Sequence, residues 1–357
     1  MALDTQQMET PRNPMNRPQN PSVAVIILNW NGEDLLRRYL PAAIANTPPD
    51  LATIIVADNG STDGSLSMLR KRFPSVRIIS FPENLGFAEG YNRAIAEAGY
   101  EYSVLLNSDA APTPGWLPPM LECMRQEPDI AACQPKILSM REEGMFEYAG
   151  AAGGFLDRHG YPYCRGRIFS TVEPDNGQYD STQPTDIFWA SGAALMVRTS
   201  AYQAVGGLDC RFFAHMEEID LCWRMHLAGY RVVAVTSAAV RHLGGASLSA
   251  NDPRKTYLNF RNNLLMMHKN LPASVRTRRL FVRRLLDTIA WSKAVATLRW
   301  SEAAAIWRAH RHFARMRSDF PTLDNPDAPD LLTSHPNRPL SILAAYFLRR
   351  HTTFPRL

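Results

Sequence analysis

The sequence predicts an α/β fold built on a mostly parallel central sheet. From residue 23 onward, short apolar runs alternate with segments that carry apolar residues at helical spacing, beginning with VAVIIL, EDLLRRYLPAAI and TIIVAD. Strands that alternate with helices of this length form parallel sheets covered by helices on both faces. Polar residues follow each apolar run, as they do where such a sheet presents a ligand site at the carboxyl ends of its strands.

The chain divides into three predicted segments. Residues 1–21 are rich in Pro, Asn and Gln and predict a disordered tail, residues 22–270 carry the α/β pattern, and residues 271–357 predict a basic helical extension. The 357 residues are 45% hydrophobic, which is enough for a sizeable core. The late apolar run at 340–348 falls well short of the roughly 20 residues that cross a bilayer, so we expect no spanning segment.

Charge and cysteine content indicate the setting. The formal net charge is +5, and arginines are concentrated in RTRRLFVRR and RWSEAAAIWRAHRHFARMR near the C-terminus, which predicts an anionic partner. These helices fit either solvated faces or an interfacial helix on anionic lipid. The five cysteines form no C-x-x-C pair, which argues against a disulfide framework or zinc knuckle and favours a reducing, cytoplasmic setting.

The first four strand ends supply the first candidate residues. The polar stretches after the early apolar runs are NWNG, DNGSTDGS, PENLGFAEG and NSDA. Asp58 could accept a hydrogen bond from a base imide or cap the next helix. Asp109 offers the carboxylate oxygen that a hard divalent cation prefers, although a turn-forming aspartate would have the same sequence.

The second half of the chain adds acidic and histidine candidates. Residues 145–189 lack periodicity and predict a functional loop region on the acceptor side. Glu217 and Glu218 begin a predicted helix without a cation at helical spacing, so either could act as a general base. Asp220 stands four residues before Arg224, and the two could form a purely structural pair. His242 follows a strand and precedes two glycines that permit close backbone approach.

Taken in order, seven motifs resemble those of the family 2 glycosyltransferases with the GT-A fold, most closely the bacterial rhamnosyltransferase-like branch. They are ILNWNG, VADNGSTDGS, NLGFAEGYN, LLNSD, WASGAALMVR, FFAHMEEIDLCWR and VRHLGGAS, and the resemblance runs from about residue 23 to 268. It implies that residues 22–270 form a GT-A catalytic domain. It also implies an inverting, metal-dependent enzyme that transfers a sugar from dTDP-rhamnose or a UDP-sugar to a hydroxyl of a glycan or polyprenyl-diphosphate-linked acceptor in cell-surface polysaccharide biosynthesis.

The resemblance also implies roles for individual residues. The catalytic base is Glu218, with Glu217 as second choice. The nucleotide-binding residues are Asn29, Asn31, Asp58, Asn84, Gly86 and Asn107. The ligands of Mg²⁺ or Mn²⁺ are Asp109 and His242, and Asn107 stands where the family's D-x-D motif has its first aspartate. Acceptor or supporting roles fall to Trp189, Glu217, Asp220 and Arg261.

Several alternatives remain open at the level of sequence. Trp189 could stack on a sugar or lie in the core, and Arg261 could meet an acceptor diphosphate or form a buried pair. A sugar nucleotidyltransferase would need a basic, Gly-rich loop near the first strand, which NWNGEDLL lacks. A catalytically weak sugar-nucleotide-binding scaffold is motivated by Asn107. We expect a cytoplasmic protein with possible peripheral contact at the inner face of an anionic membrane, and no nucleic acid partner.

Overall fold

The computed structural model describes residues 22–244, 252–323, 325, 327–334, 336 and 340–356. The tail predicted at residues 1–21 lies outside these residues, as does the part of the VRHLGGAS motif that follows Gly244.

The described residues form strands and helices in an alternating order. The strands are β1 (Val23–Asn29), β2 (Ala52–Asn59), β3 (Arg77–Phe81), β4 (Tyr102–Leu106), β5 (Ala110–Pro112), β6 (Ile130–Ser139), β7 (Gly154–Leu156), β8 (Pro162–Cys164), β9 (Arg167–Ile168), β10 (Thr171–Val172), β11 (Thr185–Asp186), β12 (Ala194–Arg198) and β13 (Arg231–His242). The helices are α1 (Glu33–Asn46), α2 (Ser65–Arg72), α3 (Gly86–Ala98), α4 (Leu117–Gln126), α5 (Thr199–Ala204), α6 (Glu217–Leu227), α7 (Pro253–Asn270), α8 (Ala273–Ala296) and α9 (Trp300–Met316). Short 3₁₀ turns occupy Cys210–Phe212, Arg317–Asp319 and Phe354–Arg356, and a π-helical turn occupies Ala344–Leu348.

The central sheet confirms the predicted α/β fold. It has nine strands in the order β11-β13-β6-β12-β4-β1-β2-β3, with β5 added on β13. Strands β1 to β4 pair in parallel with their neighbours in that half of the sheet, and β6 pairs in parallel with β13. Strand β12 is antiparallel to both β4 and β6, so these parallel groups run in the same direction. Their carboxyl ends therefore meet at one edge.

Alternate residues of β1 face the two layers of helices. Val23, Val25 and Ile27 pack with apolar residues of α1, α2 and α4, whereas Ala24 and Ile26 pack with those of α3, α6 and α7. The period of two follows from strand geometry. Because both faces are covered, β1 is a nearly continuous apolar run, which is typical of a strand in the middle of a parallel sheet.

The stretch that the sequence predicts as a long loop region contains a second, smaller sheet. Strands β7 to β10 form four antiparallel strands in the order β10-β9-β8-β7. The C-terminal segment packs against this region, because the Ile342 backbone N–H donates to Asp157 Oδ2 at 2.9 Å and that of Phe354 donates to Glu173 Oε1 at 2.8 Å. Both apolar side chains belong to the core that β1 shares with α3. The extension predicted from residue 271 is thus packed into the body.

None of the helices found among the described residues combines the length and apolarity needed to cross a membrane.

Candidate active site

The loops after β1 and β2 are held together by side chains at the strand ends. Asn29 Nδ2 donates to Asp58 Oδ1 at 2.9 Å, and Asp58 Oδ2 accepts from the Ser61 backbone N–H at 3.1 Å. Asn31 Oδ1 accepts from the Thr62 N–H at 2.7 Å. Asn29 and Asp58 are fully buried, so they form the floor of this edge. Recognition of a base by Asp58 stays a prediction and would use the lone pairs that these bonds leave free.

The loop between β3 and α3 approaches the same edge. Asn84 Oδ1 accepts from Asn59 Nδ2 at 3.0 Å and from the Gly86 N–H at 2.9 Å. Gly60 has a φ of +72°, and a Cβ there would lie 2.5 Å from the carbonyl carbon of Glu83. A glycine is therefore required where the loops after β2 and β3 meet. The predicted nucleotide residues Asn84 and Gly86 lie at the same end of the sheet as Asp58.

An exposed tryptophan at this edge was not singled out from the sequence. The side chain of Trp30 is 57% exposed although it stands directly after the buried Asn29. The next residue, Asn31, has a φ of +50° and turns the chain back towards Thr62. The sequence feature that could have identified Trp30 is an aromatic residue followed by a turn at the end of a strand. Its exposed indole lies beside the predicted nucleotide-binding residues.

Asp109 and His242 meet across β5 and β13, as predicted. His242 Nε2 lies 3.1 Å from Asp109 Oδ1, and Asn107 Nδ2 lies 3.4 Å from the same nitrogen. The other ring nitrogen, Nδ1, lies 3.2 Å from Glu147 Oε2. Glu147 was missed because it falls in the aperiodic stretch after β6. It forms the third member of an Asp–His–Glu row.

The row is buried and its charges are coupled. Burial alone would lower the pKa of His242, but its contacts with Asp109 and then Glu147 raise it to about 9. Glu147 is itself held in place, since its Oε2 accepts from the Ala149 N–H at 2.6 Å. A Cβ at Gly244 would lie 2.4 Å from Glu147 Oε1, so the glycine after His242 allows this carboxylate to approach.

The Asp109–His242 pair fits a divalent cation. Adjacent ligands of an octahedral ion, each about 2.1 Å from it, are about 3 Å apart, and the Asp109 Oδ1 to His242 Nε2 distance is 3.1 Å. Glu147 on Nδ1 would fix the tautomer that leaves Nε2 free, as carboxylates do behind metal-bound histidines. Among the described residues no group of three or more His, Cys, Asp or Glu side chains could hold a metal. The other ligands would therefore come from diphosphate and water.

The two glutamates at the start of α6 differ from the Asp109–His242–Glu147 row because they lie beside each other rather than beside a histidine. Burial and then the charge of Glu218 raise the pKa of Glu217 well above its ordinary value, and burial raises the pKa of Glu218. Neither Glu217 Oε2 nor Glu218 Oε2 has a hydrogen-bond partner among the described residues. Glu217 is 6% exposed and Glu218 is partly exposed. We infer that Glu217 keeps the proton and that Glu218 ionises first, which suits a general base.

The segment before these glutamates has a strained backbone. Phe213, His215 and Met216 have φ values of +70°, +68° and +76°. Non-glycine residues in this region cost of order 1–3 kcal/mol each and persist only where the surroundings enforce them. Asn262 of α7 supplies that enforcement, because its Nδ2 lies 2.8–3.0 Å from three carbonyl oxygens of the segment.

Arg261 supports the same segment from the neighbouring position. Its Nη2 donates to the Phe212 carbonyl at 2.9 Å and its Nη1 to the Tyr257 hydroxyl at 3.1 Å. The side chain is buried, so of the two predicted roles the structure favours support over contact with an acceptor. Its hydrogen-bond partners are a carbonyl, a hydroxyl and the side-chain oxygen of Asn262 rather than a carboxylate.

The two acidic clusters are linked through the WASG stretch. A Cβ at Gly192 would lie 4.0 Å from Glu218 Cβ and 3.8 Å from Phe87 Cζ. The next residue, Ala193, accepts a backbone hydrogen bond from Asn107 at 3.1 Å. The base candidate and the Asp109–His242 pair are therefore connected through Gly192 and one backbone hydrogen bond at the edge of the sheet.

Two predicted acceptor or supporting residues are structural. Trp189 is 3% exposed and its Nε1 donates to the Phe155 carbonyl at 3.0 Å, so of the two alternatives for this residue the structure supports a place in the core. Asp220 is fully buried. It pairs with Arg224 at 2.8 Å and Lys269 at 2.9 Å and accepts from Asn270 at 2.7 Å, which joins α6 to α7.

Comparison with known proteins now decides the family. Residues 103–309 match the model of glycosyl transferase family group 2, and residues 24–167 match that of glycosyl transferase family 2. The chain belongs to the family 2 glycosyltransferases. This membership confirms the resemblance inferred from the seven motifs. It decides against the nucleotidyltransferase alternative, since the family transfers glycosyl groups.

Relatives of this glycosyltransferase include a rhamnosyltransferase and an O-antigen biosynthesis protein. N-acetylglucosaminyl-diphospho-decaprenol L-rhamnosyltransferase of Mycobacterium tuberculosis is 30% identical over 237 residues, which cover 61% of this chain and 75% of the relative. O-antigen biosynthesis protein RfbC of Myxococcus xanthus is 25% identical, over 65% of this chain and 18% of its own length. The crystal structure of GalNAc-T7 with UDP, GalNAc and Mn²⁺ superposes with a TM-score of 0.58 at 14% identity, covering 84% of this chain and 58% of that one. The fold is GT-A.

Proposed function

We propose that this glycosyltransferase moves a sugar from a nucleoside-diphosphate donor to a hydroxyl of a polyprenyl-diphosphate-linked acceptor, with inversion at the anomeric carbon and with Mg²⁺ or Mn²⁺ bound. The main support for the proposal is that a candidate metal site and a candidate general base lie at the same edge of the sheet. The Asp109–His242 pair, with an O to N distance of 3.1 Å, can hold a cation, while Glu217 and Glu218 have raised pKa values and can hold or accept a proton.

The donor end of the proposal rests on the loops after β1, β2 and β3. Asn29 and Asp58 form a buried hydrogen-bonded floor, and Trp30 beside them is exposed. We assign Trp30 as a stacking surface for the base and Asp58 as acceptor for a uracil or thymine imide. The L-rhamnosyltransferase relative makes dTDP-rhamnose the first donor to test, and UDP-sugars come next.

The reaction follows from where charge and protons go. The acceptor oxygen forms a bond to the anomeric carbon while the bond from that carbon to the diphosphate oxygen breaks, and the diphosphate leaves with the electron pair. Glu218 accepts the proton of the acceptor hydroxyl. A bound divalent cation would neutralise charge on the departing diphosphate. Because Glu217 keeps its proton, Glu218 ionises without a second negative charge beside it.

The acceptor end of the proposal rests on a basic cavity beside the strained segment. The cavity has a volume of about 360 Å³ and is lined by Arg254, Tyr257, Arg308 and His312. It adjoins the segment before Glu217, because the Arg254 guanidinium lies 5.1 Å from the centre of the Phe213 ring. A diphosphate is an anion class that the two arginines suit. The mycobacterial relative is named for an N-acetylglucosaminyl-diphospho-decaprenol acceptor, which supports the same class here.

The test is a panel of donors followed by a transfer assay. Purified protein is heated with dTDP-rhamnose, UDP-sugars and GDP-sugars, each with and without Mn²⁺. A true donor at about 100 times its Kd adds roughly 2.7 kcal/mol to the free energy of unfolding, and we expect this only with Mn²⁺. The selected donor is then given N-acetylglucosaminyl diphosphate on a polyprenol, and the anomeric configuration of the product is read by NMR. Metal-dependent donor binding with no transfer to lipid-linked or glycan acceptors would favour a scaffold role, for which Asn107 was the sequence signal.

A further inference from the structure

Helix α8 packs three of its charged residues inward. Arg279, Arg283 and Asp287 follow one another at four-residue spacing and are 9%, 3% and 1% exposed. Arg283 Nε donates to Asp287 Oδ1 at 2.9 Å, and its guanidinium lies 3.6 Å from the centre of the Tyr161 ring. These arginines are therefore not the solvated charges that the sequence suggested as one alternative.

The outward face of the same helix is apolar. Phe281, Leu285 and Ile289 also stand at four-residue spacing, and they are 69%, 57% and 64% exposed. Residues at this spacing lie along one stripe of a helix. Exposed apolar area is unfavourable in water, so a continuous stripe of this kind marks a surface that another phase or molecule covers.

The exposed charged residues that α8 itself places beside the stripe are basic. Arg278, Arg284 and Lys293 are exposed, and none of them appears in an ion pair within the described ranges. The single acidic residue of α8 is the buried Asp287. Trp291 is 40% exposed, and tryptophan is enriched at the level of lipid headgroups.

A second surface element adjoins the end of α8. The ammonium of Lys293 lies 5.9 Å from the centre of the Phe347 ring, and Phe347 and Leu348 are 55% and 81% exposed. Exposed apolar side chains of the π-helical turn near the C-terminus thus lie beside the basic residue at the end of α8.

We propose that the outward face of α8, with Phe281, Leu285 and Ile289 between Arg278, Arg284 and Lys293, docks in the plane of an anionic lipid bilayer. Apolar residues would enter the boundary between headgroups and acyl chains, and the basic residues would meet the phosphates. A second copy of the chain fits this face less well, because a two-fold contact would bring the unpaired basic residues of both copies together. The inference deepens the proposed function, on which it rests for the presence of a lipid-linked acceptor at the same surface.

The test is co-sedimentation with vesicles, which needs neither donor nor acceptor. Full-length protein is mixed with vesicles of phosphatidylcholine alone or with 30% phosphatidylglycerol, at about 0.1 M and 0.5 M salt. We expect binding to the anionic vesicles that weakens at the higher salt concentration. The variant Phe281→Ser/Leu285→Ser/Ile289→Ser should lower the partition coefficient at least tenfold. Arg278→Gln/Arg284→Gln/Lys293→Gln should lower it on anionic vesicles by about fivefold per charge.

A matched control removes three exposed basic residues elsewhere. Arg70→Gln/Lys71→Gln/Arg72→Gln at the end of α2 changes net charge by the same amount and should leave vesicle binding close to wild type. Equal losses in the control and the α8 charge variant would overturn the proposal, because the attraction would then be one of net charge. Unchanged vesicle binding of the apolar variant would also overturn the proposal. So would a result in which the wild-type protein binds no vesicles and is a dimer in sedimentation velocity, while the apolar variant is a monomer.

The outcome is independent of the proposed catalysis. The apolar variant should keep wild-type donor binding and wild-type transfer to a short, water-soluble N-acetylglucosaminyl diphosphate, while transfer to the same acceptor in vesicles falls at least tenfold. If the protein binds anionic vesicles through α8 and transfers to neither acceptor, the docking surface stands and the proposed function fails. If both acceptors are used equally by the two proteins and vesicle binding is absent, the docking surface fails and the function stands.

Discussion

The two acidic clusters at the sheet edge differ in what each carboxylate faces. Asp109 and Glu147 lie on either side of His242, at 3.1 Å and 3.2 Å from its two ring nitrogens. Glu217 and Glu218 are adjacent in α6, neither forms an ion pair with another described residue, and their pKa values are raised. A carboxylate beside a cationic group keeps its charge, whereas one buried beside another carboxylate keeps its proton. The neighbours of each carboxylate thus suit one cluster to metal binding and the other to proton transfer.

The largest effect on the metal cluster is expected from Asp109→Asn. Loss of the carboxylate removes the charged ligand, and metal stabilisation of a leaving group is worth several kcal/mol, so kcat should fall about a thousandfold. Isothermal titration with Mn²⁺ and nucleotide should show the loss of metal binding directly. The exposed Asp34→Asn on α1 is the control and should bind Mn²⁺ as wild type does. Unchanged Mn²⁺ affinity in Asp109→Asn would remove the metal from this cluster.

Glu147→Gln should give a smaller effect on the same cluster. Carboxylates that orient a metal-bound histidine typically contribute 10–100-fold in metal affinity. We expect a rise of about that size in the Kd for Mn²⁺, with most of kcat restored at saturating metal. Glu143→Gln, an exposed glutamate in the same stretch, is the matched control. If kcat stays low at every metal concentration, Glu147 acts on the substrate instead.

Asn262→Leu tests whether the strained segment before Glu217 must be held in place for proton transfer. The substitution keeps the volume but removes the amide that lies against three loop carbonyls, so the strained segment loses its constraint. We expect the free energy of unfolding to fall by about 2 kcal/mol and kcat to fall about tenfold while donor Kd is unchanged. Thr256→Ala on the same helix serves as control. A fall in stability with kcat intact would limit Asn262 to a structural role.

The two clusters show which features of the fold and of the site the sequence predicts. The first four strands of the parallel sheet and the strand-end positions of Asp58, Asp109 and His242 could be predicted because apolar runs end where polar residues begin, and parallel strands bring those ends to one edge. The order of the strands across the sheet, and β6 within it, could not be predicted from these runs. The pairing of Glu217 with Glu218 could be predicted from adjacency. Glu147 could not, since it lies in a stretch without periodicity and reaches His242 through the tertiary fold.

Two other features were hidden for physical reasons. The helical period of α8 is identical whichever stripe faces the body, so the sequence alone did not reveal that Arg283 and Asp287 are buried and Leu285 is exposed. Trp189 precedes a strand and resembles an acceptor residue, but its indole occupies the space where a Cβ on Gly154 would be. The sequence does not show which glycine leaves room for an aromatic ring, because that depends on the packing of the folded chain.

Glu217→Gln is expected to have the smallest effect, on stability and its pH dependence. The raised pKa of Glu217 means that the folded state keeps a proton that the unfolded state releases. This contribution to stability is therefore full below the ordinary pKa of 4.5 and is lost as pH rises towards the folded-state value. Glutamine has no proton to lose, so the variant should melt at a higher temperature than wild type at pH 8 and gain little at pH 4. A gain that is equal at both pH values would contradict the assignment.

The most direct test of the division between the clusters is kcat for Glu218→Gln and Glu217→Gln in one transfer assay at pH 7.5 with saturating donor and Mn²⁺. Glutamine mimics a protonated glutamate, so Glu217→Gln should stay within a few-fold of wild type. Glu218→Gln removes the base and should lower kcat by about 10²–10⁴-fold without weakening donor binding. If Glu217→Gln is the inactive variant, or if Glu218→Gln transfers sugar at the wild-type rate, the assignment of Glu218 as the base is contradicted.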